Sequence, residues 1–120
     1  MSGPPWTCRV DPQGDFARRY RELAAEAPGA VDRLRARLLA FCKAPRSHGQ
    51  FLRGSSDGRR ERWLVPPPLS AGLLDELVAV VEVEPGPALA VPLRLHEIGA
   101  QPPQALVDGE TRRAEADYGI

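Results

Sequence analysis

The stretch Gln50–Val65, QFLRGSSDGRRERWLV, places a cluster of arginines directly before an apolar segment with the pattern of a core strand. Its Ser-Ser-Asp-Gly tetrapeptide is typical of a turn, because Asp and Gly favour turn conformations. Trp63 and Val65 alternate with Arg62 and Leu64, as in a strand whose two faces meet different surroundings. A solvated loop is the simplest interpretation of the arginines, and an anion-binding sheet face is the alternative.

The chain of 120 residues is long enough for one domain with one hydrophobic core. It has no apolar run near the roughly 20 residues that span a bilayer, and it opens with no charged-then-apolar secretory pattern. We therefore expect a cytoplasmic protein with no membrane partner. Cys8 and Cys42 are predicted to be small buried core residues, with a disulfide as the alternative. Neither has a second Cys or His within a few residues, so we expect no metal and no cofactor.

The net charge of zero hides a division between the two halves of the chain. Residues 1–65 hold 13 basic and 7 acidic side chains, a balance of +6, whereas residues 66–120 hold 3 basic and 9 acidic ones, a balance of −6. Such asymmetry predicts a basic functional surface together with an acidic segment that covers it or meets a partner.

Two helices are predicted in the first half, after a half-buried strand over residues 6–11. The first begins at Phe16 with Asp15 as its N-cap, and Pro28-Gly29 separates it from the second, which Pro45 ends. Two helices with so short a connection form a helical hairpin. Their apolar stripes consist of Phe16, Tyr20, Leu23 and Ala27, and of Val31, Leu34, Leu38, Phe41 and Cys42.

The second half predicts two further strands, over residues 77–84 and 89–96, because both segments are rich in β-branched or alternating apolar residues. A short helix from Ser70, with Leu73, Leu74 and Leu77 inside, competes with the start of the first of these strands. Residues 99–120 are polar and are predicted to be a C-terminal tail. We therefore assign residues 1–98 to a single domain.

The order β-α-α-β-β-β predicts an α+β fold, with a two-helix hairpin packed on one face of a mostly antiparallel three- to four-stranded sheet. The predicted core contains Phe16, Tyr20, Leu34, Leu38, Trp63, Val81 and Leu93. The opposite face of the sheet is expected to be uncovered and to carry Arg60, Arg62, Arg94 and His96.

This order, together with one short motif, resembles the RelE/ParE superfamily of bacterial toxins. In that family the two helices precede a segment of the form Leu-basic-x-x-x-x-Gly, and Leu52-Arg53-Gly54-Ser55-Ser56-Asp57-Gly58 has this spacing. The final strand of the ribosome-dependent endoribonucleases in the family carries Arg-x-His, which Arg94-Leu95-His96 fits. The resemblance covers roughly residues 6–98.

The resemblance implies a toxin of a type II toxin–antitoxin pair that cleaves mRNA on the ribosome and is neutralised by a cognate antitoxin; a ParE-like action on gyrase is the other possibility within the family. His96 would act as general acid or base, and Arg94 and Arg62 would stabilise charge on the phosphate. The residues expected to bind RNA or phosphate are Arg53, Arg59 and Arg60.

Four departures from the family pattern favour a different function. One is the proline-rich stretch Pro66–Pro68, which lengthens a connection that is normally tight in the family. Asp75-Glu76-Leu77 is acidic where active members carry an arginine, Gln50 occupies the position of a carboxylate base, and Glu97 replaces an aromatic hydroxyl. The alternative is a catalytically inactive RelE-like module that binds protein or RNA, in which His96 is an exposed strand histidine. His48 is expected to be solvated in either case.

Overall fold

The computed structural model describes residues 14–67, 76–83, 93–98 and 102–120, and for residues 15, 93, 94 and 96–98 the description is limited to the backbone. The predicted α+β class is confirmed, while the predicted strand at residues 6–11 lies outside the described residues. The elements are α1 (Gly14–Glu26), α2 (Pro28–Lys43), α3 (Pro45–His48), β1 (Gln50–Gly54), β2 (Glu61–Val65), β3 (Glu76–Val83), β4 (Leu93–Ile98) and α4 (Pro103–Tyr118).

The four described strands form one antiparallel sheet in the order β1-β2-β3-β4. β1 was not predicted as a strand, because Gln50–Gly54 is short and its side chains do not alternate strictly between apolar and polar. β3 begins at Glu76, so the competing short helix is wrong for residues 76–80, and its earlier part lies outside the described residues. Among residues 89–96, the strand assignment is described only from Leu93 onward.

One face of the sheet packs against α1 and α2. Trp63 and Val65 from β2 join the alternate residues of β3 in a core that also contains the apolar stripes of both helices. Pro28 opens α2 at a position where the missing N–H has no intrahelical partner to lose. Of the predicted core, Phe16, Leu34, Leu38, Trp63 and Val81 are buried, Tyr20 is partly buried against them, and the side chain of Leu93 lies outside the description.

The second face of the sheet is covered as well, which corrects the expectation of an open face. Residues 103–118, within the predicted polar C-terminal tail, form α4, and Leu106 with Val107 packs on Leu52, Leu64, Val78 and Val80. A strand buried on both faces has an almost continuous apolar sequence. This explains the run Leu77–Val81, every residue of which is buried.

Cys42 is buried at the end of α2, as predicted, and it is disulfide-bonded, which is the alternative that the sequence left open. The other cysteine of the sequence, Cys8, lies outside the described residues. Pairing depends on the distance between two Cα atoms in the folded chain, about which sequence spacing says nothing. Disulfides are typical of oxidising compartments, so this bond does not support the predicted cytoplasmic location. That location stays a prediction.

Candidate arginine site beneath the C-terminal helix

The turn between β1 and β2 fixes the backbone from which two of the predicted phosphate-binding arginines project. Ser55 Oγ donates to Asp57 Oδ1 at 2.6 Å, and the backbone N–H of Arg59 donates to the same oxygen at 3.0 Å. Both hydrogen bonds stabilise the carboxylate, so they lower the pKa of Asp57, the Ser55 hydroxyl most. Gly58 has a φ of 72°, which a residue with a side chain rarely adopts. The SSDG stretch therefore forms the turn that its composition predicts.

A β-bulge in β1 brings Arg53 next to Arg62. Phe51 pairs with Trp63 across the two strands, and the register then shifts so that Arg53 pairs with Arg62. An extra residue in one strand breaks the strict alternation of side chains. As a result Leu52 packs in the core beneath α4, while its neighbour Arg53 reaches Glu115 of the same helix.

The acidic end of α4 forms ion pairs with these two arginines. Arg62 Nη1 donates a hydrogen bond to Asp117 Oδ2, and Arg53 Nε lies 3.9 Å from Glu115 Oε2. Acidic side chains near a helix C-terminus are unfavourable by themselves, because the helix dipole is negative there, and α4 has no basic residue in its last turn. The two strand arginines supply the positive charge that this end of the helix lacks.

Tyr118, the last residue of α4, connects the arginines to a carboxylate of the sheet. Its hydroxyl donates to Glu82 Oε1 at 2.8 Å, and its ring lies beneath the guanidinium groups of Arg60 and Arg62, at 5.3 and 5.0 Å from the ring centroid. The same Glu82 oxygen is 3.9 Å from Arg60 Nη1 and 3.8 Å from Arg62 Nε. Two arginines, one carboxylate and one phenol thus form a single network.

Burial and this network shift the pKa of two of its members. Burial, and then the hydrogen bond to Glu82, raise the pKa of Tyr118 to about 12. Burial alone would lower the pKa of Arg62, but the hydrogen bond to Asp117 and the nearby negative charges outweigh it, so the pKa is raised. Tyr118 therefore acts as a neutral hydrogen-bond donor and Arg62 as a fixed cation.

The arginines differ in how accessible they are. The side chain of Arg62 is only 13% exposed, whereas those of Arg53 and Arg60 are 41% and 47% exposed, and Arg59 is exposed on the turn. We define the arginine patch as Arg53, Arg60 and Arg62. Asp117 already occupies Arg62 Nη1, so a phosphate group that bonds to this nitrogen would displace Asp117.

The two other predicted catalytic residues lie on a different strand. In the register of β3 and β4, Arg94 pairs with Val80 and His96 with Val78, whereas Arg62 of β2 pairs with Glu82. With strands about 4.8 Å apart and about 3.4 Å per residue, the Cα atoms of Arg94 and His96 lie roughly 12 and 17 Å from that of Arg62. The side chains of Arg94 and His96 are outside the description. The structure thus brings the arginines of the patch together. The backbone of Arg94 and His96 lies at a distance from them.

Glu76 and Gln50, two of the departures from the family pattern, lie in the described part of the chain. Glu76 accepts a hydrogen bond from Arg37 Nη1 at 3.0 Å and lies 3.6 Å from Arg33 Nε, so an acidic residue at this position pairs the sheet with α2. Gln50 and His48 are exposed. His48 therefore has the solvated position that the sequence predicts.

Sequence reasoning missed the acidic and aromatic half of this site. Glu82 stands in an apolar strand, and Glu115, Asp117 and Tyr118 stand in the presumed tail. The one local signal was Gly119, which ends α4 in the left-handed conformation typical of a helix C-terminus.

No family model, no curated protein and no solved structure matches this chain. The resemblance to the RelE/ParE superfamily therefore stays a prediction from the quoted motifs. Over the residues that the structure describes, no three His, Cys, Asp or Glu side chains are grouped so that they could hold a metal ion. None of the helices described is both long enough and apolar enough to cross a bilayer.

Proposed function

We propose that the chain is a non-catalytic binding module whose arginine patch takes an acidic, aromatic-bearing segment of a partner protein. The observation that supports this most is the occupancy of the patch by Glu115, Asp117 and Tyr118 of α4. Because this acidic, aromatic segment of the chain itself binds the patch, it indicates the chemistry of the partner segment that would bind there. Under this proposal α4 occupies the patch when the partner is absent.

The contacts of the helix end are of a kind that a competitor can replace. Exposed ion pairs contribute only about 0–1 kcal/mol each, and the pair between Arg53 and Glu115 is more than a third exposed on both sides. Apolar anchoring of α4 comes from Leu106 and Val107 in its first turns and, nearer its end, from the methyl group of Ala114. The end that covers the patch can therefore open with less loss of free energy than the strands beneath it.

A cognate antitoxin is the partner class that the RelE/ParE resemblance implies. An acidic antitoxin segment has the charge that the arginine patch requires, and its binding would replace Glu115 and Asp117. This assignment depends on the resemblance, whereas the proposed chemistry of the ligand depends only on the contacts of α4.

A peptide corresponding to residues 103–120, labelled and added to the full chain, tests the module directly. In Glu115→Gln/Asp117→Asn the intramolecular competitor is weakened, and we expect this variant to bind the peptide about tenfold more tightly than the unaltered chain, as measured by fluorescence anisotropy. Added salt should weaken this binding, because the patch contacts are charged.

Asp108→Asn is the matched control, since it removes one carboxylate of α4 that bonds to Gln104 rather than to the patch. It should leave peptide binding unchanged, and Arg62→Ala added to the double variant should abolish the gain. Equal binding by the double variant and by Asp108→Asn would contradict the proposal.

The second candidate is the ribosome-dependent endoribonuclease that the resemblance implies. It is favoured by Arg94-Leu95-His96, whose backbone forms part of β4 in the same sheet as Arg62. The approach of RNA to Arg62 would then require the end of α4 to move away. Arg53, Arg59 and Arg60 would bind the RNA backbone.

Growth and mRNA cleavage after induction of the chain in a bacterial host test this second candidate. If the chain cleaves RNA, His96→Ala should lower the rate by roughly 10²–10⁴-fold, the usual contribution of a general acid or base. His48→Ala is the control, and it should change nothing. A chain that is harmless and leaves mRNA intact would contradict the nuclease function.

A further inference from the structure

A groove separate from the arginine patch lies between α2, α3 and the chain that leaves β2. It is open to solvent along one side, where Ala36, Ser47 and His48 are exposed, and its volume is about 350 Å³, within the range of roughly 300–1,000 Å³ typical of small-molecule sites. We propose that this groove binds a small organic carboxylate with a flat apolar body. The proposal does not depend on the function of the arginine patch.

The walls of the groove are small and apolar. Ala36 and Ala40 are one helical turn apart on α2 and leave space that larger side chains would fill. Pro66 and Pro67 form the facing wall, and proline has no backbone N–H to offer. These surfaces match a ring or a short hydrocarbon better than a fully hydrated ion.

Arg37 lines the groove and donates to Glu76, which Arg33 also contacts. Glu76 and Arg33 lie beside the groove rather than in its lining. These three side chains, two guanidinium groups and one carboxylate, together carry one net positive charge. A monoanion balances this charge, whereas a phosphate dianion would exceed it.

Two further groups on α3 provide hydrogen bonds to an anion. Ser47 and His48 line the groove beside Arg37. The serine hydroxyl is a donor, and an imidazole has at least one N–H in either protonation state. A carboxylate in the groove thus meets a guanidinium, a hydroxyl and an imidazole, while its apolar body lies between the alanines and the prolines.

Benzoate is the probe for this site, and benzyl alcohol is its uncharged counterpart with the same ring. In amide NMR spectra of the full chain, benzoate should cause saturable shifts at Ala36, Ala40, Ser47 and His48, with a dissociation constant on the order of 1 mM, as expected of a fragment-sized ligand. Benzyl alcohol should bind at least about tenfold more weakly, because it lacks the charge.

Variants separate the contributions of space and charge. Ala40→Leu should fill the groove and abolish the benzoate shifts, and Arg37→Gln should weaken binding by about tenfold or more. Arg35→Gln is the control, since this exposed arginine of α2 does not line the groove. If the spectrum of Arg37→Gln shows a loss of folding, His48→Gln at an exposed position replaces it. The proposal is overturned if benzoate produces no saturable shift. It is also overturned if benzyl alcohol binds the unaltered chain as tightly as benzoate does, or if Arg37→Gln or His48→Gln binds benzoate as tightly as the unaltered chain does.

Discussion

Arg62 is the residue that joins the sheet to the end of α4. It contacts Glu82 on the neighbouring strand, donates to Asp117 and lies over the ring of Tyr118. The side chain of Glu82 is itself only 11% exposed, so water cannot readily replace a lost cation. The cost of removing Arg62 therefore comes largely from the carboxylates that stay behind.

Arg62→Ala should lower the free energy of unfolding by about 1–3 kcal/mol, because the largely buried Glu82 loses its less exposed cation and keeps the Tyr118 hydroxyl and the more exposed Arg60. Urea denaturation measures the change. Arg59→Ala removes the same charge from an exposed position on the turn, and it should stay within about 0.5 kcal/mol of the unaltered chain. If the two substitutions cost the same, Arg62 has no special role in the network.

The raised pKa of Tyr118 predicts that the folded chain loses stability at high pH. This pKa is raised to about 12 from 10.0, which means that the folded state favours the neutral phenol. The stabilisation is complete below pH 10 and is lost as the pH rises from 10 toward 12. Urea denaturation of the unaltered chain and of Tyr118→Phe should show a difference that shrinks across this range. A difference that stays constant with pH would mean that the phenol does not titrate as part of this network.

At the scale of elements, the sequence predicted those helices and strands whose apolar periodicity is visible within one short segment. The periodicities of α1 and α2 describe helices with one apolar face, and the alternation of Trp63 and Val65 gives the side of β2 that packs on them; these were assigned correctly. β1 was missed because its bulge interrupts the alternation that identifies a strand.

The helix α4 was missed for a different physical reason. Its buried side contains Leu106, Glu110 and Ala114 at a spacing of four residues, so one charged and one small residue stand where large apolar residues are expected. Ala114 is completely buried although it adds little to any hydrophobic pattern. The sequence identified individual residues of the candidate site in its basic half alone. Its acidic residues come from this helix and from Glu82, and they were predicted only as an acidic segment.

Leu106→Ala tests whether α4 is an integral layer of the fold. Because Leu106 packs against Leu64 and its neighbours beneath the helix, we expect a loss of about 2–5 kcal/mol, as for other buried leucines. Leu38→Ala should cost a similar amount on the opposite face of the sheet, and Leu39→Ala, which alters an exposed residue, should cost about 0.5 kcal/mol or less. Thermal or urea denaturation measures all three. An unchanged stability in Leu106→Ala would show that α4 is not docked on the sheet.

At the scale of the molecule, the division of charge between the two halves is balanced within the fold. Among the residues that the structure describes, six ion pairs between distant elements join a basic residue before position 66 to an acidic residue after it. They are Arg33–Glu76, Arg37–Glu76, Arg53–Glu115, Arg60–Glu82, Arg62–Glu82 and Arg62–Asp117. The sequence predicted that an acidic segment covers the basic face, either from an antitoxin or from the chain itself. These contacts match the second of these alternatives.

The central claim is that the acidic end of α4 binds the arginine patch of the sheet within one chain. A double-mutant cycle between Arg62→Ala and Asp117→Asn tests it most directly, since the cycle isolates the interaction of the two side chains from the other effects of each substitution. Urea denaturation of the four proteins should give a coupling free energy of about 1 kcal/mol, within the range found for residues in contact. Changes that add to within about 0.3 kcal/mol would show that the two side chains do not interact, and would contradict the claim that α4 closes over the patch.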